Sequence, residues 1–222
     1  MLIALSGALD RINGTSMDPH LFVEYGANVE AQVIAIPTGK QDYLAALYGG
    51  VNAFHFAVNG WRRENLIPEE EKLRTFEDRI VLSFTGETHF SGTNNWSMMK
   101  RFIDDAPGSR ESMRTIGQTA KEMREALLTF DLELFAELLN REWESRKRLA
   151  DGVTTPQIDR MVEGAKAAGA LASKICGAGG GGCMITAVEE GKREPVEAAL
   201  KQAGARVMPF KIAREGLGVK EV

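Results

Sequence analysis

The segment Pro37–Thr38–Gly39–Lys40–Gln41–Asp42 sets a carboxylate two residues after a lysine, where a loop meets a helix. Held at the mouth of a cleft, such a carboxylate can do general acid–base work, and a nearby ammonium can tune its pKa and neutralise charge. A plainer reading is also open: an acid in a first helical turn meets the positive end of the helix dipole, worth about 0.3–1 kcal/mol. Glu30 lies near the end of the preceding helix. Across one turn it and Asp42 could converge on a cation, or Glu30 could be one more solvated helix residue.

The second candidate is Cys176–Gly177–Ala178–Gly179–Gly180–Gly181–Gly182–Cys183, followed at once by the apolar run to Val188. Glycine loses the most backbone freedom on folding, so such a cluster needs a reason. Two reasons fit. The backbone N–H groups could form a nest for an anion such as phosphate, or the loop could be a tight turn between two strands. The pattern is neither a P-loop nor a clean GxGxxG. His20, His55 and His89 share no metal-ligand spacing. His55 is expected to face solvent and His20 to sit in a first helical turn, while His89, in the polar stretch after Thr85–Gly86, is a candidate substrate contact.

The elements that must hold these residues follow from periodicity. Leu2, Ile3, Leu5, Leu9 and Ile12 recur at helical spacing, and Gly14 stops them. Asp18–Pro19 caps a second helix, and Gln41 to Tyr48 reads as a third. Phe54, Phe56 and Val58 alternate into an Asn59–Gly60 turn, the signature of a hairpin. Arg79 to Phe84 is a strand. Helices follow over Trp96–Ile103, Arg110–Leu128, a stretch opened by Asp131, and one opened by Thr155–Pro156. After the glycine loop come a strand to Val188, a helix from about Pro195, a strand Ala205–Phe210, and an end that is an edge strand or a loose tail. Helices beside an antiparallel sheet make the fold class α+β, or α/β overall. The basic run Arg141, Arg146, Lys147 and Arg148 reads as a solvated face.

A chain of 222 residues can bury a sizeable core. Its formal net charge of −4 argues against nucleic acid as a partner. No apolar run approaches the ~20 residues of a membrane span, and no signal peptide precedes Asp10 and Arg11. Two cysteines make no disulfide framework, and they read as buried fillers of a cytoplasmic protein.

Taken in order, the Pro37–Asp42 segment, Ala45 to Gly50, Thr85–Gly86 and Lys174 to Cys183 resemble the second half of a GHMP-superfamily kinase, nearest the D-glycero-D-manno-heptose phosphate kinases. The resemblance implies a first-domain remnant over 1–86 and a ferredoxin-like domain over 87–222. It implies Asp42 as the catalytic carboxylate and Glu30 as a holder of Mg²⁺. Lys40, Gln41 and His89 would meet the sugar or sugar phosphate, with Gly177, Ala178, Gly179 and Gly180 shaping that side. Gly179, Gly180 and Gly181 would border ATP. Thr88–His89 departs from the Thr–Arg of that branch, so the sugar phosphate would be anchored differently. The family's upstream Pro-x-x-x-Gly-Leu-Gly-Ser-Ser-Ser-Ala loop, which cradles the ATP phosphates, has no counterpart here. The expectation is therefore a truncated kinase, completed by a segment in trans or forming a homodimer, or else a non-catalytic sugar-phosphate-binding or scaffold protein.

Overall fold

The structure, a computed structural model, describes residues 1–36, 38–87 and 91–220, with backbone alone at 91–93. His89 therefore lies outside the described residues. The chain divides into two compact units, Met1–Pro68 with Ile212–Val222, and Glu69–Lys211.

In the first unit, α1 (Leu2–Asn13) ends on Gly14 in the left-handed conformation, φ 64°. The side chain of Asp18 accepts from the His20 N–H and opens α2 (Pro19–Ile34), with Pro19 where its missing N–H costs nothing. Gln41–Tyr48 forms α3. These helices close on Ile3, Phe22, Val23, Ala27, Tyr43, Leu44 and Trp61. Other apolar positions of the same helices stay exposed, including Leu9, Ile12, Val29 and Val33.

The hairpin joins β1 (Asn52–Ala57) to β2 (Gly60–Asn65), with Ala57 opposite Gly60. Its turn residues are thus Val58–Asn59, one position earlier than the Asn59–Gly60 expected from local turn chemistry. Side chains set this register. Trp61 packs edge-on to Phe54 and Tyr48, with centroids 5.8 and 5.6 Å away, and the Arg63 guanidinium donates to Asn52 Oδ1 at 2.6 Å. His55 bonds Glu64 at 2.8 Å and is half-exposed. Over its described residues the C-terminal segment forms no edge strand. It docks instead on the end of α3: the N–H of Gly50 donates to Ala213 O at 2.7 Å, and that of Leu217 to Leu47 O at 3.1 Å.

The second unit begins with α4 (Glu70–Asp78) and β3 (Ile80–Phe84). The helices α5 (Ser91–Ile103), α6 (Ser109–Leu128), α7 (Leu132–Lys147) and α8 (Pro156–Ala167) follow. Then come β4 (Ala170–Ile175), β5 (Cys183–Val188), α9 (Arg193–Gln202) and β6 (Arg206–Met208). The sheet order is β4-β5-β3-β6 and every pairing is antiparallel. That order and direction make it a ferredoxin-like sheet, with four helices where the simplest form has one. Because β3 pairs with β5 and β6, residues 69–86 pack with the second unit, while 212–222 return to the first.

One buried ion cluster fastens β4 to α7. Glu142 is 5% exposed, and it bonds Lys174 Nζ at 2.5 Å and Arg146 at 2.6 Å. Burial pushes the Glu142 carboxyl up, but Lys174 and then Arg146 outweigh it and hold it below the usual carboxylate range. Burial also pulls Lys174 below the usual lysine value, against the pull of Glu142.

Glu142→Gln leaves two cations beside a neutral group, so a loss of about 3–5 kcal/mol is expected in denaturant unfolding. The depressed carboxyl contributes stability that is present above the unfolded carboxylate value and lost as pH falls through the lower folded one. The difference between wild type and Glu142→Gln should therefore shrink with acidification over that window.

Candidate active site

In the first unit, α3 presents its candidates by burying their neighbours. Tyr43 and Leu44 are 7% and 0% exposed, which turns Gln41 and Asp42 outward in the first turn. The unsatisfied N–H groups there favour a carboxylate, which suits Asp42 whether it acts or merely caps. Lys40 stands at the N-cap position without making a side-chain cap. Its ammonium pairs with Glu24 of α2, so Glu24, and not Asp42, is its carboxylate partner.

Glu30 accepts a hydrogen bond from the Tyr43 phenol. Burial pushes that phenol up to about 12, and the Glu30 carboxylate adds to the shift, so Tyr43 stays a neutral donor throughout the ordinary pH range. A nucleotide-borne Mg²⁺ takes one or two carboxylates plus phosphate oxygens. Glu30 fits as one such ligand. Among the described residues, no three His, Cys, Asp or Glu gather to hold a metal by themselves. Sequence reasoning missed Glu24 and Tyr43. Tyr43 carries a signal, a hydroxyl-bearing aromatic where the core face of α3 begins.

The glycine loop lies in the second unit, at the tip of the β4–β5 hairpin. Glycines 177, 179, 180, 181 and 182 all have positive φ, between 78° and 143°. A β-carbon on Gly179 would lie 2.6 Å from Val153 O, and one on Gly181 would lie 2.7 Å from Glu87 O. Glycine is required here by close backbone approach as well as by dihedral angle.

The loop's hydrogen bonds run inward. The Gly180 N–H donates to Val153 O at 2.7 Å, and the Gly182 N–H to Glu87 O at 2.9 Å. Thr85 returns two bonds to Gly182 O, from its N–H at 2.9 Å and its hydroxyl at 3.1 Å. The buried Asn94 amide donates to Gly152 O at 3.3 Å and Ala178 O at 3.4 Å. Thr155, the N-cap of α8, donates to Glu87 Oε2 at 2.7 Å. Two of the N–H groups that an anion nest would need are thus spent on carbonyls. Gly177 remains exposed. Cys176 is exposed and Cys183 partly so, not the buried fillers the sequence suggests, because they stand where the hairpin opens. Val153, Glu87 and Asn94 were missed by sequence reasoning: the first two accept through backbone carbonyls, which leave no mark on residue type, and the Asn94 amide answers two more carbonyls equally unmarked.

Asp42 and the glycine loop belong to different units. What each belongs to is answered by comparison. Residues 123–206 match the model described as GHMP kinases C terminal. The chain is 31% identical over 195 residues to D-glycero-alpha-D-manno-heptose 7-phosphate kinase of Campylobacter jejuni, covering 85% of this chain and 56% of that protein. It is 29% identical over 229 residues to mevalonate kinase of Thermococcus sibiricus, covering 99% and 63%. Its fold matches the crystal structure of a D-glycero-D-manno-heptose 1-phosphate kinase from Bacteroides thetaiotaomicron, at TM-score 0.72 and 26% identity, over 99% of this chain and 61% of that one.

Residues 123–206 form a GHMP kinases C-terminal domain. The chain spans between about half and two thirds of the length of the relatives it matches. Within this domain the glycine loop is a fixed backbone platform, closed by Val153 and Glu87.

Gly181→Ala should therefore cost more than Gly177→Ala. Both place a β-carbon at positive φ, at about 1–2 kcal/mol. Only Gly181→Ala also drives it into a carbonyl, since nothing lies within 4 Å of the Gly177 position. Equal thermal midpoints for the two variants would contradict the close approach.

Proposed function

We propose that this chain is part of an ATP-dependent kinase that phosphorylates a hydroxyl of a sugar or sugar phosphate, of the heptose class. The observation that carries this reading is the similarity to a Campylobacter jejuni heptose 7-phosphate kinase over 85% of the chain. The outward Asp42, backed by buried Tyr43 and Leu44, supports it.

In this reading Mg²⁺–ATP supplies the transferable γ-phosphoryl group, and Glu30 contributes one carboxylate to the ion. Asp42 holds the acceptor hydroxyl in line and takes its proton, and Lys40 and Gln41 meet the sugar. Transfer of this kind is chiefly positioning and charge stabilisation, which a rigid helix end provides better than a loop. His89 is a further sugar contact in this proposal.

The test is ADP release from Mg²⁺–ATP with a panel of heptoses, hexoses and their monophosphates. It is run on this chain and on one extended to the relatives' length, each with and without Asp42→Asn. Sugar-dependent release that falls by roughly 10²–10⁴ in Asp42→Asn is expected. Turnover within about threefold of the parent would remove Asp42 from the chemistry and leave it a helix-terminal acid. Saturable sugar-phosphate binding without release in either form would favour a non-catalytic binding protein.

A further inference from the structure

A cleft of about 440 Å³ opens between the start of α6 and the end of α7, a volume in the range of small-molecule sites. The two helices are joined by the short link 129–131, which brings the N-terminus of one beside the C-terminus of the other. None of Asp42, Lys40, Glu30 or the glycine loop lines this cleft.

Two serines on its wall stand out. Ser112 is 6% exposed and Ser145 is 4% exposed, and among the described residues neither hydroxyl has a hydrogen-bond partner. Both residues line the cleft, and hydroxyls without a protein partner there can donate to or accept from a ligand's oxygens. The start of α6 adds donors. Its N-cap is Gly108, without a capping side chain. The N–H groups of Ser109 and Ser112 are spent on Ala106 O and Gly108 O, which leaves those of Arg110 and Glu111 for a ligand.

Charge decides the class. Arg141 is engaged by Thr119 at 3.0 Å and by Glu122, and Glu144 by Lys147 at 2.7 Å. Two lining charges remain without a partner among the described residues, the Arg148 guanidinium and the Glu111 carboxylate. At the opposite mouth the carbonyls of Ser145 and Arg146 already accept from the N–H groups of Arg148 and Leu149, which mutes the negative end of α7. Glu111 opposes an anion, but the planar Arg148 fork, two serine hydroxyls and two helix N–H groups match a phosphate's oxygens. We infer that this cleft binds the phosphate group of a small molecule through Arg148, Ser112, Ser145 and the start of α6.

The probe is inorganic phosphate, titrated into the ¹⁵N-labelled chain at constant ionic strength. Saturable shifts are expected at the amides of Arg110 and Glu111. Arg148→Ala removes a charged hydrogen-bonding partner from an exposed position and should weaken the dissociation constant about tenfold or more. Ser145→Ala should weaken it by a smaller factor, while Glu111→Gln, by deleting a like charge, should tighten it about twofold or more. Absence of saturation by ~50 mM would overturn the inference. So would shifts that Arg148→Ala leaves unchanged, or weaker binding in Glu111→Gln.

Discussion

The hydrogen bonds from the Gly180 and Gly182 N–H groups to Val153 O and Glu87 O are the constraint on which the second unit depends. They draw three separate stretches together: the end of β3, the segment after α7, and the β4–β5 hairpin tip. Such an approach leaves no room for β-carbons at Gly179 and Gly181. Thr85 and Asn94 finish the closure from the side of β3 and α5. The glycine run therefore reflects backbone-to-backbone packing, and any contact with a phosphate must use what this packing leaves over.

Much of the architecture was legible because it rests on local chemistry. Asp18–Pro19, Asp131 and Thr155–Pro156 each state a helix start, and Gly14 states an end. The hairpin turn was misplaced by one residue because Trp61 and Arg63 fix the register from across the strands. The sheet order was not written in any segment. It follows from which strands bury Val81, Met184 and Ile175 together, a long-range fact. Residues 69–86 read as part of the first segment because a strand alone does not name its partners.

Site residues divide in the same way. Asp42 is prominent in sequence and turns outward in the structure. Lys40, two residues away in sequence, turns instead to Glu24 on α2. Spacing along the chain thus gave the neighbourhood but not the pairing. Glu142 gives a sharper case. In sequence it is one of several charges on α7, yet it lies buried and answers Lys174 from β4, so a motif lysine serves the join between helix and sheet.

Amide hydrogen exchange at Gly180 and Gly182 tests the central claim most directly. If the loop is closed by Val153 and Glu87, both amides exchange slowly in the ligand-free chain, and adding Mg²⁺–ATP leaves their rates unchanged. Fast exchange at both without nucleotide, with protection gained on its addition, would mean that these N–H groups serve phosphate and that the closure is not their resting state.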